Sequence, residues 1–182
     1  MNNEDIRVIK TKKALTDSLY FLLEEEMYST ITVNKICENA NVHRTTFYKH
    51  FYDKKELLIY LLKLTGDDYF SVDIKERLNS PFQVLAKSFN KEELYRIEAQ
   101  QQGDKEFEKL YNDYLINIVQ NDFNNNMHCI VVDPTFPKSL ISYVFGSVLA
   151  AFIEWKMNEH PTTNPQQMDQ IFHKLINVKA RE

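Results

Sequence analysis

A short stretch of the chain concentrates side chains that can bind phosphates and base edges. Arg44 and Lys49 are positively charged, and Thr45, Thr46 and Tyr48 have hydroxyl groups. Such groups bond the phosphate oxygens of DNA, and Arg and Lys also reach guanine edges in the major groove. The residue types therefore predict a surface that contacts duplex DNA.

Two short helices joined by a tight turn are predicted to position these side chains. The first opens at Thr32, a good N-cap, and has an apolar face at helical spacing. The turn falls near Asn41, because Asn tolerates left-handed backbone better than most residues. The second helix is predicted to run from His43 to Phe51, with Phe47 and Phe51 as anchors to the core.

A third helix is predicted to start directly after this pair. Asp53 and Glu56 fit a capping box, and Tyr52 and Leu57 fit a hydrophobic staple. Lys54 then lies in the first turn, where a phosphate could use both the N–H dipoles and the ammonium.

A long first helix, IRVIKTKKALTDSLYFLLEE, precedes the block ITVNKICENANVHRTTFYKHFYDKKELL. Together, over Ile6 to Leu62, they resemble the DNA-binding domain of the TetR/AcrR family of bacterial transcriptional regulators. Met27 and Asn41 stand where that family usually has glycine. The resemblance implies that the DNA-facing sites are Thr32, Asn34, Arg44, Thr45, Thr46, Tyr48, Lys49, His50 and Lys54.

The charge is distributed in a way that suits this interpretation. The net charge of the chain is −4, which does not by itself indicate a nucleic-acid binder. Residues 43–55 nevertheless hold four basic side chains, Arg44, Lys49, Lys54 and Lys55, against one acid, Asp53. This local excess predicts a modest electrostatic footprint for DNA.

The bulk composition favours an all-α fold of about nine helices. The 182 residues are 43% hydrophobic and include only three glycines and five prolines. We expect no membrane span, because no apolar run of about 18 residues occurs, and no signal peptide, because the stretch MNNEDIRVIK lacks an apolar segment. Cys37 and Cys129 have no metal-ligand spacing and suit the reducing cytoplasm as free thiols.

The C-terminal helices carry the second strong pattern. The stretch SLISYVFGSVLAAFIEWKMNEH is apolar around most of its circumference, and a Pro-capped amphipathic helix follows. A helix apolar all round must be buried on both sides, which predicts a partner subunit. This part resembles the C-terminal domain of Firmicutes-type TetR regulators, which implies a four-helix dimer interface. The residues assigned to the interface are Phe145, Gly146, Leu149, Phe152, Phe172 and Ile176.

The body between these regions is rich in aromatic residues. Aromatic side chains at helical spacing are more often core than pocket, yet the family resemblance implies an effector cavity among these helices. Tyr111, Tyr114 and Trp155 are the predicted pocket residues, because a buried tyrosine hydroxyl needs a partner and a ligand can be one. The segment CIVV is interpreted as an extended connection rather than a strand.

The sequence offers no sign of catalysis, cofactor or metal. It has no phosphate-cradling glycine loop, no GxSxG and no HExxH motif. Catalytic residues are therefore not assigned, and neither a cofactor nor a metal site is predicted.

The predicted protein is a homodimeric regulator with a DNA-binding head at residues 1–52. Residues 53–182 form a dimerisation and effector domain. Two heads would bind double-stranded DNA at a pseudo-palindromic operator, and a small-molecule effector would release a repressor. The alternative is a co-regulator that acts through a partner protein without an effector. Helix-turn-helix shapes also occur as purely structural pieces, and an enzyme or scaffold would bind no duplex.

Overall fold

The computed structural model describes the chain over residues 6–88, 91–131, 135–158, 164–176 and 179–180. This part of the chain forms ten α-helices and one two-stranded ladder, which confirms the predicted all-α class. The first five helices are α1 (Ile6–Glu25), α2 (Val33–Asn39), α3 (Arg44–Phe47), α4 (Lys54–Ser71) and α5 (Ile74–Asn79). The others are α6 (Pro81–Ser88), α7 (Lys91–Gln101), α8 (Lys105–Asn125), α9 (Lys138–Asn158) and α10 (Pro165–Leu175).

Packing divides the chain into two compact units. The N-terminal unit comprises the described residues up to Thr65 together with Tyr95–Leu110. The C-terminal unit comprises the described residues of Gly66–Leu94 and Tyr111–Glu182. The predicted boundary between a DNA-binding head and an effector domain, at residues 52 and 53, stays a prediction. The units defined by packing differ from it, because the end of α7 and the start of α8 (the α7–α8 corner) belong to the N-terminal unit.

The core of the N-terminal unit lies along one stripe of α1. Leu15 and Leu19 are fully buried there, and Leu22 and Leu23 extend the same stripe. The Ser18 hydroxyl, also buried, donates to the carbonyl of Ile36 at 2.9 Å and so ties α1 to the last turn of α2. Burial of this stripe, rather than helix propensity, holds the short helices in place.

The turn between α2 and α3 has the conformation that the sequence predicts. Thr32 caps α2, its hydroxyl oxygen accepting from the Lys35 amide at 3.2 Å. Asn41 adopts φ +52°, and among the described residues no other non-glycine residue has positive φ. The amide of Val42 then donates to the carbonyl of Cys37 at 2.9 Å, which closes the turn.

The second helix of the predicted helix-turn-helix, α3, which we call the recognition helix, is shorter than predicted. It ends at Phe47 instead of Phe51, because the amides of Lys49 and His50 donate to carbonyls only three residues earlier. This tighter bonding turns the chain toward α4. The staple prediction was wrong as well, since Tyr52 is 84% exposed and does not pack on Leu57. The capping prediction holds in part, because Asp53 accepts from the Glu56 amide at 2.8 Å.

The C-terminal unit has a core of its own, rich in phenylalanine. Its buried apolar members are Ile74, Leu78, Phe82, Val119, Phe123, Ile130, Phe145, Leu149, Met168, Phe172 and Ile176. Asp169, which is buried, accepts from the Phe82 amide at 2.8 Å and so caps the N-terminus of α6 from a distant helix. Arg77 is also buried and pairs with Asp122.

The interpretation of residues 129–132 as a plain connection was wrong in part. Ile130–Val131 (β1) pairs antiparallel with Lys179–Ala180 (β2), and Ile130 faces Ala180. Sequence reasoning missed the partner because it lies about fifty residues away at the end of the chain. Two residues on each strand leave the fold all-α.

One described helix could cross a membrane by length and composition alone. It is the Lys138–Trp155 stretch of α9, with a mean hydropathy of 1.2 and 28% of the stretch buried. A single such helix is weak evidence, because a core helix of a folded domain passes the same test, and α9 contributes Phe145 and Leu149 to the core. The absence of a membrane span stays a prediction.

The left-handed turn residue yields a first prediction. We expect Asn41→Ala to lower the free energy of unfolding by ~1–2 kcal/mol, because the Cβ of alanine opposes φ +52°. Asn41→Gly should be at least as stable as wild type. At Asn39, which is helical, the order should reverse, with glycine less stable than alanine by roughly 0.5–1 kcal/mol. Urea unfolding of the four variants measures both pairs, and equal stabilities of the two Asn41 variants would contradict the prediction.

Candidate DNA-binding surface

The recognition helix is held by two buried aromatic side chains. Phe47 is fully buried and Phe51 nearly so, and their ring centroids lie 5.9 Å apart. A helix of only four residues has no stability of its own, so these rings fix its position. Truncating a buried Phe to Ala typically costs ~3–5 kcal/mol, which is enough to release the helix.

Six of the nine predicted DNA-facing residues are exposed on the N-terminal unit. The exposed ones are Thr32, Asn34, Arg44, Thr45, Tyr48 and Lys49. The half-buried ones are Thr46, His50 and Lys54. The assignment of these nine residues to DNA contacts stays a prediction.

Arg44 and Tyr48 form a pair on the exposed side of α3. The Nη2 of Arg44 donates to the Tyr48 hydroxyl at 3.3 Å, and the guanidinium lies 5.8 Å from the ring centroid. The hydrogen bond to Tyr48 also raises the pKa of Arg44 above its ordinary value. The pair therefore presents a fixed positive charge and a hydroxyl side by side, and both can bond phosphate.

Thr32 has a structural role in addition to its predicted contact with DNA. Its hydroxyl oxygen accepts from the Lys35 amide, which leaves the hydroxyl proton free to donate. A phosphate bound there would be held by the residue that also begins α2. A contact between Thr32 and DNA would therefore depend directly on the position of α2.

Lys54 differs from the other predicted contacts because its ammonium is already engaged. Its Nζ donates to the Tyr28 carbonyl at 2.9 Å and lies 4.1 Å from the centroid of the Tyr28 ring. Glu106 is the third neighbour, with Oε2 at 3.4 Å from the same nitrogen. Two of the three N–H groups are thus directed to the protein, and any phosphate contact would use the remaining one.

Two residues that sequence reasoning left out lie beside the predicted set. Asn41 and His43 are exposed and line an open cleft together with Asn34 and Arg44. His43 is the N-cap of α3, yet its side chain makes no capping hydrogen bond. The signal that would have found them is their position directly before the recognition helix.

The predicted pocket residues lie outside the cleft that the described part of the C-terminal unit contains. The C-terminal unit has a narrow cleft with a free volume of about 10 Å³, lined by Tyr69, Phe70, Ile74, Arg77, Leu78, Val119, Asp122, Phe123 and Phe145. Tyr111, Tyr114 and Trp155 are half-buried and do not line it. Tyr114 has a buried hydroxyl without a hydrogen-bond partner, and burial, with the charge of Asp67, raises its pKa to about 12.

The residues assigned to the dimer interface lie inside the subunit's own core. Five of them, Phe145, Gly146, Leu149, Phe172 and Ile176, are buried, and Phe152 is half-buried against the same cluster. A Cβ on Gly146 would lie 3.1 Å from the carbonyl oxygen of Ile116, so Gly146 permits α9 to pack closely on α8. These side chains are therefore occupied within one subunit.

The opposite sides of the same two helices are apolar and exposed. The large exposed residues there are Leu140, Tyr143 and Val144 on α9 and Ile171 and Leu175 on α10. We call these five residues the outer apolar face. Helical periodicity alone did not show which side would face inward, because α9 is apolar on both.

A known protein family matches part of the N-terminal unit. Residues 20–61 match the family described as bacterial regulatory proteins, tetR family. This segment of the chain, residues 20–61, is therefore similar to tetR-family regulatory proteins. The match covers α2 and α3 completely. The likeness of the C-terminal helices to the Firmicutes-type domain stays a prediction.

A relative and two solved structures extend this comparison. An HTH-type transcriptional regulator, YxbF of Bacillus subtilis (strain 168), is 42% identical over 55 residues, which are 30% of this chain and 14% of that protein. A TetR regulator from Streptococcus agalactiae has a TM-score of 0.62 at 21% identity, covering 94% of this chain and 96% of that one. The dihydroxyacetone kinase operon activator DhaS has a TM-score of 0.55 at 17% identity, covering 91% and 93%. At such identities the two structures show that this chain shares their fold over most of its length.

The Arg44–Tyr48 pair yields a second prediction. We expect Tyr48→Ala to weaken specific DNA binding roughly tenfold or more, since a hydrogen bond to a charged group contributes ~1.5–3 kcal/mol. Tyr48→Phe removes the hydroxyl but keeps the ring, so its comparison with Tyr48→Ala shows how much of the loss is due to the hydroxyl. Stability should change by less than about 0.5 kcal/mol because the side chain is exposed. Fluorescence anisotropy with a labelled operator measures the affinity.

Phe21→Ala is the matched control. Phe21 and Tyr48 are both 50% exposed, but Phe21 lies on α1, outside the helix-turn-helix. Equal losses in the two alanine variants, or none in either, would remove Tyr48 from the contact surface.

Proposed function

We propose that this protein is a homodimeric regulator of transcription that binds a pseudo-palindromic operator in double-stranded DNA. The observation that carries the proposal is the exposed face of α3, where Arg44, Thr45, Tyr48 and Lys49 surround a helix anchored by buried Phe47. A major groove accepts a helix of this kind, and these donors match phosphates and base edges. The proposal places the protein in the cytoplasm, with the DNA that it regulates.

The outer apolar face supports the homodimer. Five large apolar side chains on two adjacent helices would stay in contact with water in a lone subunit, although their neighbours form a well-packed core. Exposed apolar patches of this kind commonly mark protein–protein interfaces. Pairing of α9 and α10 with the same helices of a second subunit gives a two-fold interface of four helices.

Two-fold symmetry predicts the form of the operator. The two recognition helices would enter successive major grooves separated by roughly 34–36 Å, or a multiple of it, so the operator has two inverted half-sites. We expect duplexes selected by the purified protein from a random library to contain such an inverted repeat. Affinity should fall steeply with salt, because binding releases counterions. Recovery of no motif at either of two salt concentrations would contradict the proposed DNA binding.

The dimer has its own test on the outer apolar face. We expect Val144→Glu to convert the dimer to monomers in sedimentation and to weaken operator binding, because each half-site is then bound separately. Ile59→Glu is the matched control, since Ile59 is 38% exposed, against 42% for Val144, but lies on α4. A Val144→Glu protein that keeps the dimer mass would place the interface elsewhere.

We further propose that the regulator represses transcription and is released by a small-molecule effector. Repression needs only occupancy of the promoter, whereas activation needs an additional surface for polymerase. DhaS, named as an operon activator, shows that this fold also serves activation. The buried, unpartnered hydroxyl of Tyr114 supports an effector with a hydrogen-bonding group.

A second candidate is a co-regulator that acts through a partner protein. It is favoured by the small free volume of the cleft lined by Tyr69 and Phe123, which at about 10 Å³ has room for about one water molecule and is far below the roughly 300–1,000 Å³ of ligand pockets. Thermal unfolding in the presence of metabolites separates the two candidates, because a ligand of the native state must raise the Tm.

A further inference from the structure

A buried glutamine at the end of α7 binds the backbone that leads into the helix-turn-helix. Gln101 is 1% exposed, and its side chain makes three hydrogen bonds. Its Oε1 accepts from the amide of Tyr28 at 2.8 Å. Its Nε2 donates to the carbonyls of Leu23 at 2.8 Å and Glu26 at 2.7 Å. All three partners lie at the junction where α1 ends and the short 3-10 turn Tyr28–Thr30 begins.

A carboxylate three residues later completes the arrangement. The Oδ2 of Asp104 accepts from the amide of Ser29 at 2.7 Å, while its Oδ1 caps α8 by accepting from the amides of Glu106 and Phe107. Burial alone would raise the pKa of Asp104, but hydrogen bonds from the amides of Ser29, Phe107 and Glu106 outweigh it and lower the pKa. The group is therefore an anion at neutral pH. Lys54, through the Tyr28 carbonyl, is bound to the same short segment.

The need for these distant partners follows from the local sequence. Helices commonly end with a left-handed glycine that satisfies their last carbonyls, but here Met27 has φ −63° and ψ 136°. The 3-10 turn likewise lacks a side-chain cap from Met27. The carbonyl of Leu23 and the amides of Tyr28 and Ser29 would otherwise be orphaned, and Gln101 and Asp104 satisfy all three. A buried backbone group without a partner is strongly disfavoured, so this segment depends on the α7–α8 corner.

This segment leads straight into the DNA-binding surface. Ile31, which follows the 3-10 turn, is 1% exposed and fixed in the core, and Thr32 directly after it is the N-cap of α2. A shift of the backbone at residues 26–30 would therefore move the start of α2. Thr32 and Asn34, both exposed in the predicted contact set, would move with it.

We propose that Gln101 and Asp104 are positioning residues for the DNA-binding surface, although both lie far outside the helix-turn-helix sequence. They cap the α1–α2 connection and thereby hold Thr32 and α2 in the arrangement that fits an operator. The inference rests on the proposed function, because its consequence is measured as DNA binding. It adds to that function a determinant in the α7–α8 corner, which belongs to the part of the chain assigned by sequence to effector binding.

The test uses Gln101→Met in the full-length protein. Methionine has nearly the same length and stays apolar in the buried site, but it replaces none of the three hydrogen bonds. We expect the Tyr28 amide to exchange with deuterium at least about tenfold faster, because its acceptor is gone. We also expect the ratio of operator affinity to non-specific duplex affinity to fall about tenfold, since non-specific binding depends on phosphate charge rather than on fit.

Gln102→Met is the matched control, because Gln102 is the next residue and is exposed. It should change neither readout. Gln101→Glu keeps the acceptor for the Tyr28 amide but loses both donors, so it supplies a second variant if Gln101→Met does not fold. In that variant the Tyr28 amide should again be protected from deuterium exchange, while the ratio of operator affinity to non-specific affinity stays low.

The outcomes separate this inference from the proposed function. Faster exchange with an unchanged affinity ratio would show that Gln101 stabilises the turn without positioning the DNA surface, and would overturn the inference. Unchanged exchange would overturn it as well. A wild-type protein that binds no selected duplex would overturn the proposed function, and this inference with it.

Discussion

The recognition helix is too short to exist without its tertiary anchors. An isolated helix below about 12–15 residues is marginal in water, and α3 has four residues. Its exposed side is almost entirely polar, so Phe47 and Phe51 provide its attachment to the core. The ring of Phe51 also packs on Tyr60 of α4, with 5.4 Å between the ring centroids, and the hydrogen bond from Ser18 to the Ile36 carbonyl ties α1 to α2. The chemistry of the surface therefore depends on packing behind it.

Some helix ends in this protein are capped by side chains that are distant in sequence. Gln101 and Asp104 satisfy the backbone between α1 and α2, and Asp169 on α10 does the same for the first turn of α6. A local cap would make each helix end independent of the rest of its unit. A cap supplied from elsewhere makes the end depend on a remote segment, because the buried polar group and its partner must be placed together. Each unit is thus built from segments that are separated in sequence.

Helix α9 is apolar on two sides, and the two sides have different surroundings. One side of α9 packs into the phenylalanine-rich core, where Gly146 lets the backbone of α8 come close. The other side presents Tyr143 and its apolar neighbours to solvent. The first side stabilises the subunit, and the second remains for a partner copy in the proposed dimer. A substitution in the core would act on folding, whereas one on the outer face would act on assembly.

The sequence by itself determined the all-α class, the helix-turn-helix with its Thr32 cap and left-handed Asn41, and the likeness of its N-terminal segment to tetR-family regulators. These features follow from local patterns, since capping, turn chemistry and helical spacing act within a few residues. The tertiary structure decided which side of α9 faces inward, that the Lys54 ammonium turns to the Tyr28 carbonyl, and that Gln101 completes the N-terminal unit. Each of these depends on which segments meet in space, and residues that are 26 positions apart, such as Tyr28 and Lys54, or 73 apart, such as Tyr28 and Gln101, leave no periodic signal of their meeting.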